Sequence, residues 1–223
     1  MLTVVLTRHG LTPRSQPEQH LGRNIDIGLA PEGEAAAGTL AARLAGVPFD
    51  RIVSSPLRRA LQTASIVAAG RAVETDARLA EMDYGDWEGL TYEQIEARDP
   101  EFRRRWVDDP AALRCPGGES GDDVAARVRA FLADAIATGG GAREPSGDAD
   151  RRVLVVAHAT LNRILLCVVL GVTVRDFRRR FRQDPTNVTV LRFAGRLGEG
   201  AQLLLANDTS HLERGPGLLL LGT

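Results

Sequence analysis

Two apolar runs of strand length, far apart in the chain, each end at a histidine. Residues 2–6 lead into Thr7-Arg8-His9-Gly10, and residues 153–157 lead into His158. Short apolar runs of this kind are typical of strands buried in a parallel sheet, and functional groups of open α/β sheets gather where the strands end at their carboxyl edge. If the two strands are neighbours, both imidazoles lie at the same edge. This pairing constrains the fold more than any other feature.

Strand and helix patterns alternate along most of the chain, which predicts an α/β protein. Helices are expected near residues 31–45, 55–69, 122–137 and 159–170, with shorter ones in 92–107 and 174–181, and further strands near 51–54, 72–74, 188–193 and 202–206. We therefore predict a three-layer α/β/α sandwich with a mostly parallel sheet. We expect one domain over residues 1–223, with residues 76–120 as a cap-like insertion over the active site and residues 139–150 as a surface loop.

Composition excludes several classes of protein. The 223 residues carry a net charge of -1, and 43% of them are apolar, so no bulk attraction to nucleic acid or to a membrane surface is expected. All 28 basic residues are arginines, because lysine does not occur. The longest apolar run, residues 164–170, is too short to span a bilayer. With two cysteines, Cys115 and Cys167, no leader pattern and no metal-ligand cluster, we expect a cytoplasmic protein without disulfides or metal.

The residue types at the first strand end suit phosphate chemistry. His9 can act as a nucleophile, and Arg8 can hold a phosphate through two parallel hydrogen bonds. A second basic element, Ser54 to Ala60, opens a helix, whose N-terminus also attracts anions. Arg58 lies in its first turn, where a positive charge opposes the helix dipole unless it meets an anion. Arg59 is predicted to be a solvated or ion-paired residue.

An acidic segment supplies a candidate proton donor. Residues 79–89 hold four carboxylates, namely Glu81, Asp83, Asp86 and Glu88. Most of these are expected on the surface or beside arginines. One of them close to a phosphate site could protonate the oxygen that leaves phosphorus.

Taken together, these segments resemble the histidine phosphatase superfamily, in its phosphoglycerate mutase-like branch 1. The resemblance covers nearly the whole chain and rests on an ordered set of motifs. These are Arg8-His9-Gly10, Gly22-Arg23 with Asp26 and Leu29, residues 54–64, Glu81 with residues 85–89, residues 117–120, residues 155–158 and Asn187.

The resemblance implies a role for five residues. His9 attacks phosphorus and becomes a transient phosphohistidine, while Arg8, Arg58 and His158 bind the phosphate oxygens. Glu81 protonates the leaving oxygen and then activates water. No metal or other cofactor is implied. Because the attacking nitrogen must be unprotonated, we expect a backbone acceptor to hold the other ring nitrogen of His9.

Three departures from the family pattern affect the shape of the pocket. Leu11 stands where Glu is usual, Ser15 where many members have Asn, and Ala159 where Gly is usual. The resemblance implies substrate contacts for Ser15, Gly22 and Ala159. None of the departures removes a catalytic group, so they bear on the substrate rather than on the reaction.

The leading hypothesis is a metal-independent phosphomonoesterase that acts on a small phosphorylated metabolite. One alternative is a mutase that returns the phosphate to a substrate. Such a mutase requires a basic clamp, which the arginines at 103–105 could form. Phe102 and Trp106, however, favour a helix with a solvated basic face. Another is a catalytically silent module that binds a phosphorylated ligand. The Arg-rich segment 175–182 is interpreted as a solvated helix or subunit contact rather than an RNA site. The sequence is compatible with a homodimer but does not decide the oligomeric state. It also does not decide the role of the apolar tail 217–221.

Overall fold

The computed structural model describes residues 1–137, 150–195 and 200–212. Along the chain its strands and helices alternate much as the sequence predicts. They are β1 (Leu2–Arg8), α1 (Pro31–Leu44), β2 (Arg51–Ser54), α2 (Arg58–Ala68), β3 (Glu74–Thr75), α3 (Tyr92–Arg98), α4 (Pro100–Asp108), α5 (Gly121–Ala137), β4 (Arg151–Ala157), α6 (Ala159–Leu170), α7 (Phe177–Arg180), β5 (Val188–Phe193) and β6 (Gln202–Asp208). The predicted loop 139–150, apart from Asp150, and the tail 217–221 lie outside the described residues.

One six-stranded sheet organises these elements, in the order β3-β2-β4-β1-β5-β6. The first four strands in this order are mutually parallel, whereas β5 runs antiparallel to β1 and β6 antiparallel to β5. The predicted mostly parallel sheet is therefore confirmed. The third strand begins two residues and ends one residue later than predicted, because only Glu74 and Thr75 pair with β2, opposite Val53 and Ser54.

Helices cover both faces of the sheet, since successive side chains of its buried strands point to opposite sides. In β4, Leu154 and Val156 belong to the apolar cluster that includes residues of α1 and α2. Val153, Val155 and Ala157 belong to the other cluster, with residues of α5 and α6. This division produces the three layers expected from the sequence.

The register of the central strands brings the two histidine-bearing strand ends together. β1 and β4 pair from Leu2 with Arg151 through to Arg8 with Ala157. The His9 N–H then donates to the carbonyl of Ala157 at 3.0 Å. His9 and His158 therefore follow directly after paired residues at the carboxyl edge of the sheet.

Residues 76–120 pack as a compact, mostly irregular segment with α3, α4 and two short 3₁₀ turns at 77–79 and 85–87. Its aromatic side chains form part of the core: Trp87 and Trp106 are buried, with ring centroids 5.3 Å apart. Within the described residues, none of the helices combines the length and hydropathy needed to cross a bilayer.

Candidate active site

The two imidazoles of His9 and His158 face each other at the edge of the sheet. Their ring centroids are 5.2 Å apart, and the ring planes are inclined by 59°. His9 is 6% exposed and His158 is fully buried. Adjacent parallel strands that end in register thus place the pair where the sequence predicts it.

A backbone carbonyl fixes the tautomer of His9. Nδ1 lies 2.7 Å from the carbonyl oxygen of Gly10, and because a carbonyl can only accept, Nδ1 carries the hydrogen. Burial lowers the pKa of His9 well below its usual value, and the positive charges of Arg59 and Arg8 lower it further, against the opposing bond to Gly10. The ring is neutral near pH 7, with a lone pair on Nε2.

A serine hydroxyl contacts the second histidine. His158 Nε2 lies 2.7 Å from Oγ of Ser55, whereas Nδ1 has no hydrogen-bond partner in the described part of the chain. Burial lowers the pKa of His158 well below its usual value, and the charges of Arg59, His9, Arg127 and Arg8 act in the same direction. The ring of His158 is therefore neutral near pH 7.

The structure brings Arg59, not Arg58, to the two histidines. Arg58 is exposed and donates its backbone N–H to the carboxylate of Asp26 at 2.7 Å. Neither Arg58 nor Arg59 nor His158 is among the residues that line the cavity beside His9. Arg59 is fully buried, and its charge lowers the pKa of both imidazoles. The predictions of Arg58 as a phosphate ligand and of Arg59 as a surface residue are therefore corrected.

The phase of α2 explains this exchange. The helix begins at Arg58, after Leu57, and buries Arg59, Ala60, Thr63, Ala64 and Val67 on one face. Successive helical residues diverge by about 100°, which directs Arg58 outward. The Arg59 guanidinium donates to the carbonyls of three loop residues, Leu21, Gly22 and Ile25, at 2.9–3.1 Å.

Residues near the end of the chain hold Arg8 in place. Its Nη1 donates to the carbonyl of Gln183 at 2.9 Å, and its backbone N–H donates to Oδ1 of Asn187 at 3.1 Å. The amide of Asn187 in turn donates to the side chains of Gln183 and Thr189. The Nε of Arg8 has no partner among the described residues. Burial lowers the pKa of Arg8, but from a value so high that the side chain stays charged.

Backbone N–H groups hold the carboxylate of Glu81. Oε1 accepts from Met82 at 2.9 Å and from Leu161 at 3.0 Å, and Oε2 accepts from Thr160 at 3.1 Å. The first turn of α6 thus orients a carboxylate that comes from the 76–120 segment. Among the described residues one donor reaches Oε2, so this oxygen keeps a lone pair for a further hydrogen bond.

A cavity of about 220 Å³ opens beside these groups, and Arg8, His9 and Glu81 line it. Ser15 and Ala159 also line the cavity, although the Ser15 hydroxyl accepts from the Thr12 N–H at 3.0 Å. Gly22 does not. Its carbonyl binds Arg59, and a Cβ at this position would meet the Glu88 carboxylate at 2.0 Å. The implied substrate contact of Gly22 is thus replaced by a supporting role.

Two arginines expected on solvated faces are packed against aromatic rings instead. Arg103 is 7% exposed, and its guanidinium lies over the rings of Trp87, Tyr92 and Trp106 at 5.3–5.8 Å. Arg178 lies over Tyr92 and Trp106 at 5.4 and 5.6 Å and also lines the cavity. Phe102 and Trp106, at an i, i+4 spacing in α4, indicate a buried face, but nothing in the sequence indicates which arginines stack on it.

The fold and the residues of this site together point to one protein family. The family model for the histidine phosphatase superfamily (branch 1) matches residues 4–209, and the chain belongs to this family. It is 30% identical, over 214 residues and 95% of each chain, to phosphoserine phosphatase 1 of Hydrogenobacter thermophilus.

Two further relatives bear on the comparison. A bifunctional protein of Mycobacterium tuberculosis is 40% identical over 216 residues, which cover 94% of this chain and 54% of that protein; the chain thus spans about half the length of this relative. A solved structure of a mycobacterial glucosyl-3-phosphoglycerate phosphatase in complex with VO3 is 33% identical, with a TM-score of 0.80 over 92% of this chain and 98% of that one.

Proposed function

We propose that this protein is a metal-independent phosphomonoesterase that hydrolyses a small phosphorylated metabolite through a phosphohistidine on His9. The observation that carries the proposal is the state of His9. The ring is neutral, its Nδ1 is tied to Gly10, and it lines a cavity beside Arg8 and Glu81. A histidine held in this way presents the Nε2 lone pair to an electrophile.

The first half of the proposed reaction forms the phosphoenzyme. Nε2 of His9 attacks phosphorus, and the ester P–O bond breaks with its electron pair on the leaving oxygen. Protonated Glu81 donates the proton that this oxygen takes up, so an alcohol departs. The guanidinium charges of Arg8 and Arg59 offset the charge on the phosphoryl oxygens, and Nδ1–H of His158 is a further donor if the Ser55 hydroxyl donates to Nε2.

The second half regenerates the enzyme. Glu81, now a carboxylate, takes a proton from a water molecule whose oxygen attacks phosphorus. The N–P bond breaks, its electron pair returns to Nε2 of His9, and inorganic phosphate leaves. Glu81 ends protonated again, so the cycle consumes one ester and one water. Apart from the ester and the water, both transfers use only groups of the chain.

The relatives support the class of substrate. Proteins similar to this chain are named as phosphatases of phosphoserine and of glucosyl-3-phosphoglycerate, which are phosphorylated metabolites. We propose residues 76–120 as a cap over the site, because Glu81, Tyr84 and Tyr92 from this segment line the cavity. We also propose a cytoplasmic location, which the two free, buried cysteines, Cys115 and Cys167, support.

Hydrolysis of p-nitrophenyl phosphate by the wild type and by His9→Ala tests the proposal. We expect the variant to lose on the order of a thousandfold or more of kcat, and acid quenching of the wild type to trap a phosphohistidine. Incubation with EDTA should leave the rate unchanged. In an assay with 3-phosphoglycerate and a bisphosphate primer, phosphate transfer that is faster than phosphate release would instead identify a mutase. Equal, negligible rates for both proteins would indicate a silent binding module.

A further inference from the structure

We infer that the outer wall of the cavity contains a second anion site, formed by Arg163 and Arg178, that selects phosphomonoesters bearing a carboxylate. This inference rests on the proposed phosphatase function and narrows its substrate class. The cavity is lined by four arginines but by only two acidic residues, Glu18 and Glu81. Arg8 and Glu81 serve the reaction itself, which leaves Arg14, Arg163 and Arg178 against Glu18. Arg14 is exposed, whereas Arg163 and Arg178 are partly buried, so their positive charge needs another explanation.

Arg163 lies in the wall of the cavity beside the proposed phosphoryl site. It belongs to α6, five residues after His158, and lines the cavity. Arg8 lines the same cavity, and the positive charge of Arg163 adds to the effect of burial in lowering the pKa of Arg8. Its Nε is buried and meets no hydrogen-bond partner among the described residues. Two adjacent, like-charged groups repel unless an anion lies between or beside them.

Arg178 is held by aromatic faces rather than by a carboxylate. Its guanidinium lies over Tyr92 and Trp106, and Nη2 donates to the Tyr92 hydroxyl at 3.2 Å. The described part of the chain offers it no ion pair within 4.0 Å. Stacking of this kind fixes the plane of a guanidinium while its edge stays able to bind a carboxylate through two parallel hydrogen bonds.

The surroundings favour an external anion over an internal one. Glu18 lies near enough to raise the pKa of Arg8 and of Arg178, but it is exposed and forms no ion pair among the described residues. His20 also lines the cavity. It is 5% exposed, and neither of its ring nitrogens has a hydrogen-bond partner of adequate geometry in that same part of the chain. A neutral imidazole there can donate to a ligand without adding charge.

The size of the cavity favours a compact substrate. Its volume of about 220 Å³ is below the roughly 300–1,000 Å³ of pockets that take drug-sized ligands. A phosphoryl group at His9 leaves room for a short chain, so that a carboxylate a few bonds from the ester oxygen reaches the arginines. Phosphorylated hydroxy acids and amino acids have this form.

Two matched pairs of substrates test the inference. 3-Phosphoglycerate is compared with glycerol 3-phosphate, and O-phosphoserine with O-phosphoethanolamine; within each pair one member lacks the carboxylate. We expect Arg163→Gln and Arg178→Gln to lower kcat/KM for the carboxylate member by about 10- to 100-fold, mainly through KM. For the partner lacking it, kcat/KM should stay within about threefold. Arg178→Lys should recover part of the loss, and Arg179→Gln, an exposed neighbour in α7, should have no effect.

The outcomes separate this inference from the proposed function. If the wild type hydrolyses the substrates without a carboxylate and the glutamine variants weaken both members of a pair equally, the arginines serve the phosphoryl group or the fold, and the inference is wrong. Unchanged kinetics in both variants would also overturn it. If the wild type releases phosphate neither from these compounds nor from p-nitrophenyl phosphate, the proposed function itself is wrong. Thermal melts of every variant identify those that do not fold.

Discussion

Arg58 and Arg59 are adjacent in sequence, but only one of them lies within electrostatic reach of the histidines. Arg59 is buried, bonded to three carbonyls, and lowers the pKa of His9 and His158. Desolvation makes such a charge effective, because little water screens it. The same burial requires the hydrogen bonds, since an unpaired buried guanidinium would destabilise the fold.

Substitution of each of these two arginines tests which one supports the reaction. We expect Arg59→Met to lower kcat for p-nitrophenyl phosphate by about 100-fold or more, the size of effect seen when one transition-state charge donor is removed. Arg58→Met should stay within about threefold of the wild type. Steady-state kinetics measure both, and a thermal melt with the milder Arg59→Lys variant separates unfolding from loss of rate. A larger loss in the Arg58 variant would restore the role that the sequence implied.

Ser55 is a positioning residue that the sequence motif contained but did not explain. Its hydroxyl lies 2.7 Å from His158 Nε2 and also accepts from the Leu57 N–H. We expect Ser55→Ala to lower kcat/KM about tenfold and to change its pH profile, because the buried ring loses the group that sets its tautomer.

The neighbouring Ser54 provides the matched control. It is also fully buried, but its hydroxyl donates to the backbone carbonyl of Ser55 and contacts no histidine. Ser54→Ala should therefore keep kcat/KM within about twofold and leave the pH profile unchanged. Similar losses in the two variants would mean that Ser55 acts through packing alone.

At the scale of elements, the strands and helices of the sheet layers were predictable, but the face of α2 that carries the functional arginine was misassigned. The apolar runs of β1 and β4 identified the central strands, and their ends located both histidines. Arg58 was favoured because it lies in the first turn of its helix, and this criterion ignores the face of the helix on which a residue lies. Successive residues are about 100° apart wherever the helix begins, so Arg59 and not Arg58 lies on the buried face. The small residues Ala60, Thr63, Ala64 and Val67 carried the correct phase.

Other misassignments depended on contacts between distant segments. Arg178 was expected to be solvated because its own helix is basic, but Tyr92 and Trp106, more than 70 residues earlier, provide the surface that receives it. Gly22 likewise owes its position to Glu88 and Arg59. A single sequence shows periodicity within an element, whereas such partners become visible only after the chain has folded.

Two helix ends provide a prediction about stability. Ala69, after α2, and Gly171, after α6, both adopt the left-handed conformation, with φ of 49° and 68°. An L-residue is strained there by about 1–2 kcal/mol, whereas glycine is not. Ala69→Gly should thus raise the free energy of unfolding by about 1 kcal/mol, and Gly171→Ala should lower it by a similar amount, since a Cβ at 171 meets no atom within 4 Å.

Urea unfolding measures both changes. The two substitutions exchange the same pair of residues in opposite directions at similar backbone angles, so each serves as the control of the other. Shifts of the same sign in the two variants would show that side-chain packing, and not the backbone conformation, decides the stability of these ends.

The whole molecule should lose stability in mild acid because it buries neutral histidines. Burial and the charges of Arg178 and Arg103 lower the pKa of His20 to about 3, with the Leu90 carbonyl opposing. In the unfolded chain the pKa of this histidine is about 6.5. Between pH 6.5 and pH 3, His20 therefore binds a proton in the unfolded chain but not in the folded one. Stability therefore falls as the pH falls through this range, by about 1.4 kcal/mol per unit for this residue.

Urea unfolding of the wild type and His20→Phe at pH 7 and pH 5 tests this expectation. The phenyl ring retains the packing against Tyr84 and Tyr92 but cannot bind a proton. The loss of unfolding free energy between the two pH values should be about 2 kcal/mol smaller in the variant. Equal losses would show that His20 does not contribute, and would leave His9, His158 and His211, whose pKa values are also lowered, as candidate sources.

The pairing of β1 with β4 has a consequence for how the protein is made. Leu2 lies beside Arg151 in the finished sheet, yet a ribosome that adds about 5–20 residues per second needs roughly 7–30 seconds to synthesise the intervening polypeptide. During that interval the first strand has no parallel neighbour, and its apolar side chains are available to chaperones or to other nascent chains. Catalytic competence is therefore acquired late in synthesis, only when the strand that ends before His158 has emerged.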